Sequence, residues 1–335
     1  MEIRMADAGG MYPCLIGDIG GTHARFALVR EAGAALELQR TLECARFDGP
    51  GSAIGHYLRG VSAPAPESAV LGVATPVADD DVCIVNHPWR FSVESLRRYL
   101  KLERLVVIND FEAMAYAIPA LDAAAVERIG GGAAVAGAAI ALLGPGTGLG
   151  VATLAPTGEG YVTLAGEGGH ITLAACNDAE ADVIRILRQR YGHVSAERLL
   201  SGSGLEDLYT VLSTGRSSAV EPLRAEQISA RGTASICPIC SEAMQMFCAM
   251  LGTVASNLAL SVGARGGVYI GGGIVPRLGG YLAASCFRRR FEEKGRFAGY
   301  LAAIPTLLIR AENPGLIGAA RYLDRLGPAQ QRMPH

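Results

Sequence analysis

The sequence predicts an α/β fold, and three observations lead there. Short apolar runs alternate with longer segments of helical periodicity. Two of the runs, "SAVLGVA" (68–74) and "LVVIND" (105–110), read as buried strands of one sheet. A pattern of apolar run, Gly/Thr-rich turn and apolar run also occurs twice, in "LIGDIGGTHARFALV" (15–29) and "AIALLGPGTGLGVATLA" (139–155). The two copies lie roughly 125 residues apart, as a duplicated unit would place them.

Taken in order, "CLIGDIG" (14–20) and "ARFALV" (24–29) form the first strand pair. Ser92 caps a helix through "VESLRRYL". "NDFEAMAYAIP" (109–119) is a strand end running into a helix, and a Gly/Ala stretch follows at 130–138. The C-terminal half turns helical. Asn177 with Glu180 makes a capping-box-like start to "AEADVIRILRQRY", and Ser203 with Glu206 does the same for "GLEDLYTVL". Phe247, Met250, Leu251, Val254 and Leu258 keep helical spacing and mark a buried helix between Glu242 and Val262. "GGVYIGGGIVP" is a strand running into glycines, and "IPTLLI" is another strand. Asn313 caps a last helix, with Pro314 in its first turn, through "GLIGAARYL".

A chain of 335 residues suits two lobes rather than one core. The net charge of −2 gives no electrostatic case for a nucleic-acid partner or an anionic membrane. "MEIRMADAGGMYP" lacks a long apolar core, so no signal peptide is expected. The longest apolar stretch, around 133–144, is too short to span a membrane. Eight scattered cysteines suit the reduced thiols of a cytoplasm. Cys237 and Cys240, in "CPIC", read as a pair at a helix start: zinc would need two more ligands, and only Cys248 lies near.

Glycine in a hairpin turn supplies positive φ, and that alone accounts for one such turn. Three features favour a second reading, an anion site. Both turns carry a threonine, Thr22 and Thr147; a third glycine cluster, Gly271–Gly273, follows a strand; and Asp18 sits at a strand end. A buried acid there is costly unless it serves a cation or hydrogen bonds. Backbone N–H groups at such bends cradle anions, and Asp18 could hold Mg²⁺ through water. The result is a phosphate site without lysine. No Gly-Lys dipeptide occurs, which excludes a P-loop, and a strand rather than a helix follows Gly144–Gly150, which weakens a dinucleotide fingerprint.

Six motifs then occur in order: "GDIGGT" (17–22), "NDF" (109–111), "GPGTGLG" (144–150), "GEGGH" (166–170), "SAERLLSGSGL" (195–205) and "GGGIVPR" (271–277). With them the chain resembles the bacterial glucokinase family, the ATP-dependent, non-ROK branch of the hexokinase/actin-like superfamily, from about residue 14 to 326. The Cys-rich zinc motif of the ROK group is missing. The resemblance implies a two-lobed, actin-like (duplicated ribonuclease H-like) fold with an interlobe cleft. Its small lobe would be 14–118 plus 312–328 and its large lobe 119–311. It also implies a cytoplasmic, homodimeric glycolytic enzyme that uses ATP and Mg²⁺ on D-glucose.

Residue by residue, Gly17, Asp18, Ile19, Gly20, Gly21 and Thr22 match the family's first phosphate loop. Gly146, Thr147 and Gly148 match the second, and Gly272 and Gly273 would lie near the adenosine. Asn109, Asp110, Glu167, His170 and Glu197 match its glucose contacts, with Asp110 as catalytic base. One departure is His23, where members often carry Asn. Structural alternatives stand beside these roles. An Asn-Asp at a strand end is commonly a helix cap, and Glu197 suits an early helical turn. Asn86, in "VNHPW", lines the sugar pocket or shapes the turn before Pro88. The competing functions are a sugar-sensing protein that binds without turnover and a kinase of another neutral hexose. Paired Glu167 and Glu197 disfavour an anionic acceptor, and polyphosphate is an alternative donor.

Overall fold

A computed structural model describes residues 11–85, 87–214 and 221–326. Asn86 and the first ten residues of the N-terminal segment lie outside the described residues. The chain divides into two compact units, one running to Leu121 and resuming at Glu312, the other spanning Asp122–Ala311.

In the first unit, β1 (Cys14–Ile19), β2 (His23–Val29) and β3 (Glu37–Glu43) form an antiparallel meander. Helix α1 (Pro50–Gly60) leads to β4 (Ser68–Val73), which is buried throughout and pairs parallel with β1. A small ribbon of β5 (Asp81–Cys83) and β6 (Arg90–Ser92) precedes α2 (Val93–Leu100). Ser92 caps α2 as expected, its Oγ accepting from Ser95 N at 3.1 Å. Then come β7 (Arg104–Asn109), parallel to β4, and α3 (Asp110–Ala117). The strand order is β3-β2-β1-β4-β7, with the charged, mostly exposed β3 on one edge.

The second unit begins with β8 (Val126–Gly130) and repeats the meander as β9 (Ile140–Pro145), β10 (Leu149–Thr157) and β11 (Gly160–Ala165). Five helices follow: α4 (Asp178–Tyr191), α5 (Ala196–Leu199), α6 (Gly202–Ser213), α7 (Ala225–Thr233) and α8 (Pro238–Val262). Next are β12 (Val268–Ile270), α9 (Tyr281–Ala284), α10 (Phe287–Glu292), α11 (Ala298–Ala302) and β13 (Thr306–Ile309). The sheet runs β11-β10-β9-β12-β13-β8, with β12 parallel to β9 and to β13. Its first five strands repeat the order and sense of the first sheet.

Two sequence expectations change here. Helix α6 is capped by Ser201, whose Oγ accepts from Gly204 N at 3.1 Å, not by Ser203. Glu206 instead accepts from Ala225 N at the start of α7, at 3.1 Å. The longest apolar segment is α8, not 133–144. It is long and apolar enough to cross a membrane by composition, yet most of it is buried in the second unit's core with Phe247, Met250 and Leu251. Asn177 does cap α4, accepting from Glu180 N at 2.9 Å, while Glu180 reaches back to Cys176 N at 2.8 Å.

The chain re-enters the first unit as α12 (Pro314–Leu326), beginning at the expected proline. Leu316, Ala319 and Leu323 pack on Ile16, Val70 and Ile108. At the crossing with α3, a Cβ on Gly318 would run into the Ala113 carbonyl, so the helices approach as closely as glycine allows.

Candidate active site

In the first unit the sheet delivers two chemical groups to the ends of β1 and β7, the two strands that flank β4. The β1–β2 turn holds Gly20, Gly21 and Thr22; Gly20 N–H donates to His23 O at 3.0 Å, and Thr22 is exposed. Gly17 and Ile19 lie within β1, hydrogen-bonded between β2 and β4, and the Ile19 side chain is fully buried. With Gly20 N–H spent on His23 O, only Gly21 and Thr22 in this loop keep amides to offer a phosphate. Among these strand residues Gly17 serves packing: a Cβ there would lie 2.5 Å from Leu71 Cδ2. His23 opens β2 on an exposed position opposite Glu43.

Asp18 is mostly buried, and its Oδ2 accepts from Arg25 Nη1 at 3.3 Å. Burial holds its carboxyl above the usual carboxylate range, with Arg25 only partly offsetting this. Beyond the carboxylate lies Gly315 in the first turn of α12, where a Cβ would come within 3.0 Å of Asp18 Cγ. Arg25 was missed in the sequence, although the hairpin register supplies the signal: Asp18 and Arg25 are direct cross-strand partners.

At the end of β7, the cap of α3 is Asn109 and not Asp110. Asn109 Oδ1 accepts from Phe111 N at 2.9 Å and Glu112 N at 3.2 Å, and its Nδ2 donates to Thr75 O at 3.2 Å. The acceptor is thus spent on the helix, and one amide hydrogen is left for a ligand. Asp110 is half-buried in the first turn of α3, with Oδ1 accepting from Phe111 N at 2.9 Å.

The second unit gathers four separate motifs around the first residue of β10. The β9–β10 turn closes with Gly146 N–H donating to Gly148 O at 2.8 Å and leaves Thr147 exposed at its tip. Gly202 N–H holds Gly146 O at 2.9 Å from the start of α6. On the other side, Ile274 N–H donates to Pro145 O at 3.0 Å. Gly272, at φ +81°, lies so close that a Cβ would strike that same carbonyl. Gly273 is exposed beside the turn.

Glu197 comes from α5, which Ser195 caps. The bridge Thr172–Ser195 and the bond from Ala196 N to Ile171 O (2.9 Å) tie α5 to the segment carrying Glu167 and His170. Those two side chains are exposed, with Nε2 and Oε2 3.7 Å apart. Glu197 Oε2 accepts from Leu149 N at 2.8 Å, and Gly148 provides the space: a Cβ there would run into the same carboxylate. The sequence gives no signal for this link, because residues 148 and 197 meet only through the fold.

A family profile described as Glucokinase matches residues 15–326. The chain belongs to the glucokinase family. A glucokinase of Aromatoleum aromaticum is 53% identical over 316 residues, covering 93% of this chain and 95% of that relative. Among solved structures, a glucokinase from an Antarctic psychrotroph matches with a TM-score of 0.82 at 39% identity, covering 93% of this chain and 98% of the other. A ROK family glucokinase from Streptomyces griseus, in complex with glucose and AMPPNP, shares the fold at a TM-score of 0.62 and 21% identity, over 94% of this chain and 99% of that one. Glucokinase-family membership accounts for the mixed α/β architecture. No cluster of three or more metal-ligating side chains occurs among the described residues.

Proposed function

We propose that this chain is a glucokinase that transfers the γ-phosphoryl group of ATP to the 6-hydroxyl of D-glucose, giving glucose 6-phosphate and ADP. Family membership across nearly the whole chain supports the reaction. The observation that carries the site is the gathering of Glu167, His170 and Glu197 around Leu149, beside the glycine turn at 146–148.

A neutral sugar presents only hydroxyls, so its site must supply carboxylate acceptors and N–H donors on fixed elements. Glu167, Glu197, His170 and the remaining amide hydrogen of Asn109 are that set. Asp110 takes the proton of the 6-hydroxyl as it attacks. With Asn109 holding the cap of α3, the helix does not depend on the Asp110 side chain for capping. Backbone amides at Gly21–Thr22 and Thr147–Gly148 meet the phosphates, while Gly20 and Gly146 close the two turns, and Gly272–Gly273 meet the nucleoside.

Mg²⁺ fits at Asp18. Such an ion commonly takes one or two carboxylates, with the substrate phosphates and water completing its shell. Asp18 is a mostly buried acid with one cationic neighbour, and a divalent ion would restore the ionised form that burial disfavours. When bound, the ion neutralises phosphate charge.

The test is Asp110→Asn, assayed by ATP consumption across a panel of neutral hexoses. The expected result is a fall in kcat of at least about 10²-fold, the lower end for a lost general base. The melting temperature should hold within a few degrees, because the cap is untouched. Near-normal kcat in the folded variant would remove Asp110 as base. Wild-type protein consuming ATP with no hexose would remove the kinase reading.

A further inference from the structure

The "CPIC" segment, at the edge of the second unit's core, has no part in the proposed reaction. Cys237 is the N-cap of the 25-residue α8, with Pro238 at the first helical position. Its Sγ accepts from Cys240 N at 3.4 Å, which brings the sulfur against the first turn and within reach of the Cys240 side chain. Each thiol lies close enough to perturb the other's ionisation. They differ in access: Cys237 is half-exposed behind the exposed residues Ser235 and Ile236, whereas Cys240 is fully buried. A disulfide requires Cα atoms roughly 4.4–6.8 Å apart, and residues three apart at a helix start are neighbours on that scale.

We propose that Cys237 and Cys240 form an oxidation site, a dithiol that hydroperoxides convert to a reversible intramolecular disulfide. Cys237 is the attacking sulfur. Burial opposes its ionisation, but the Cys240 thiol, the N–H groups of Cys240 and Ile239, and Arg231 together hold it below the ordinary thiol range. Cys240 is the resolving partner. Burial, followed by the hydrogen bond and negative charge of Cys237, pushes it up to about 12.

The chemistry balances in two steps. Cys237 sulfur attacks one peroxide oxygen, the O–O bond breaks, and hydroxide leaves as water with the thiol proton, giving a sulfenic acid. Cys240 sulfur then attacks Cys237 sulfur, the S–O bond breaks, and the second water carries off the Cys240 proton as the S–S bond forms. Two thiols lose two electrons and one hydrogen peroxide becomes two waters. Once Cys237 is oxidised its negative charge no longer opposes ionisation of Cys240, although burial, the larger cause, remains.

The experiment treats the full chain with substoichiometric hydrogen peroxide, alkylates the remaining thiols and maps them by mass spectrometry. The exposed cysteines Cys83 and Cys176 serve as internal references. A Cys237–Cys240 disulfide should form about tenfold faster than either reference is oxidised, and dithiothreitol should reverse it. Cys240→Ala should halt the chemistry at a Cys237 sulfenic acid that dimedone traps. Cys237→Ser, which keeps an oxygen cap for α8, should leave Cys240 reduced. Oxidation of Cys83 or Cys176 ahead of the pair would overturn the proposal. So would a wild-type Cys237 that stops at sulfenic acid, or Cys240 oxidation in Cys237→Ser.

Discussion

Removing Glu197 should disturb two substrates where a plain sugar contact would disturb one. Its Oε2 accepts the Leu149 N–H at 2.8 Å, and Leu149 is only 4% exposed, so water cannot readily replace the carboxylate. A hydrogen bond to a charged group contributes about 1.5–3 kcal/mol. Glu197→Ala should therefore loosen the 145–149 turn by that amount, which is roughly 10- to 150-fold at about 1.4 kcal/mol per decade. Glu197→Gln keeps a neutral acceptor of about half the strength, so the loss there is nearer 1 kcal/mol, or about fivefold. Amide hydrogen exchange of the peptide spanning Leu149 reads the loosening directly, and steady-state kinetics read its consequence. Both variants should raise KM for glucose. Glu197→Ala should also lower kcat/KM for ATP by about the factor seen in exchange, with Gln intermediate. Unchanged exchange at Leu149 and an intact kcat/KM for ATP in Glu197→Ala would refute the link between this carboxylate and the 145–149 turn.

Three other outcomes follow from particular contacts. Burial raises the Asp18 pKa, so the native state holds this proton more tightly than the unfolded chain, and stability is lost as pH rises through the folded value. Asp18→Asn should melt higher than wild type at pH 7, lose that advantage toward pH 4, and still turn over more slowly; a lower melting temperature at pH 7 would refute it. Glu180 and Arg290 pair at 2.7 Å with side chains 2% and 13% exposed. Glu180→Ala should cost about 3 kcal/mol in denaturant unfolding, the low end for a broken buried pair, because Glu293 also contacts Arg290 at 3.2 Å. Gly318→Ala sets helix propensity, a gain of about 1 kcal/mol, against a collision with the Ala113 carbonyl, which at about 1–3 kcal/mol or more should win. Stabilisation of that variant in urea would mean the helices part more easily than their packing indicates.

The sequence by itself determined what depends on neighbours a few residues apart. Ser92 and Asn177 were legible as caps because a cap and its amide partner lie three residues apart. The hairpins at 15–29 and 139–155 were legible because strand polarity and turn glycines are contiguous, and their recurrence matches the shared strand order of the two sheets. Where two local solutions competed, the sequence could not choose. Asn109 rather than Asp110 caps α3, and Ser201 rather than Ser203 caps α6, because the exact phase of a helix start is fixed by what it packs against. The tertiary structure alone decided that Glu197 meets Leu149, that the Pro145 carbonyl is bonded by Ile274 N–H and closely approached by Gly272, and that Gly318 lies on the Ala113 carbonyl. These partners are separated by tens to hundreds of residues, and no periodicity or propensity encodes them. They come together only once apolar burial has fixed each sheet's register and the helices upon it.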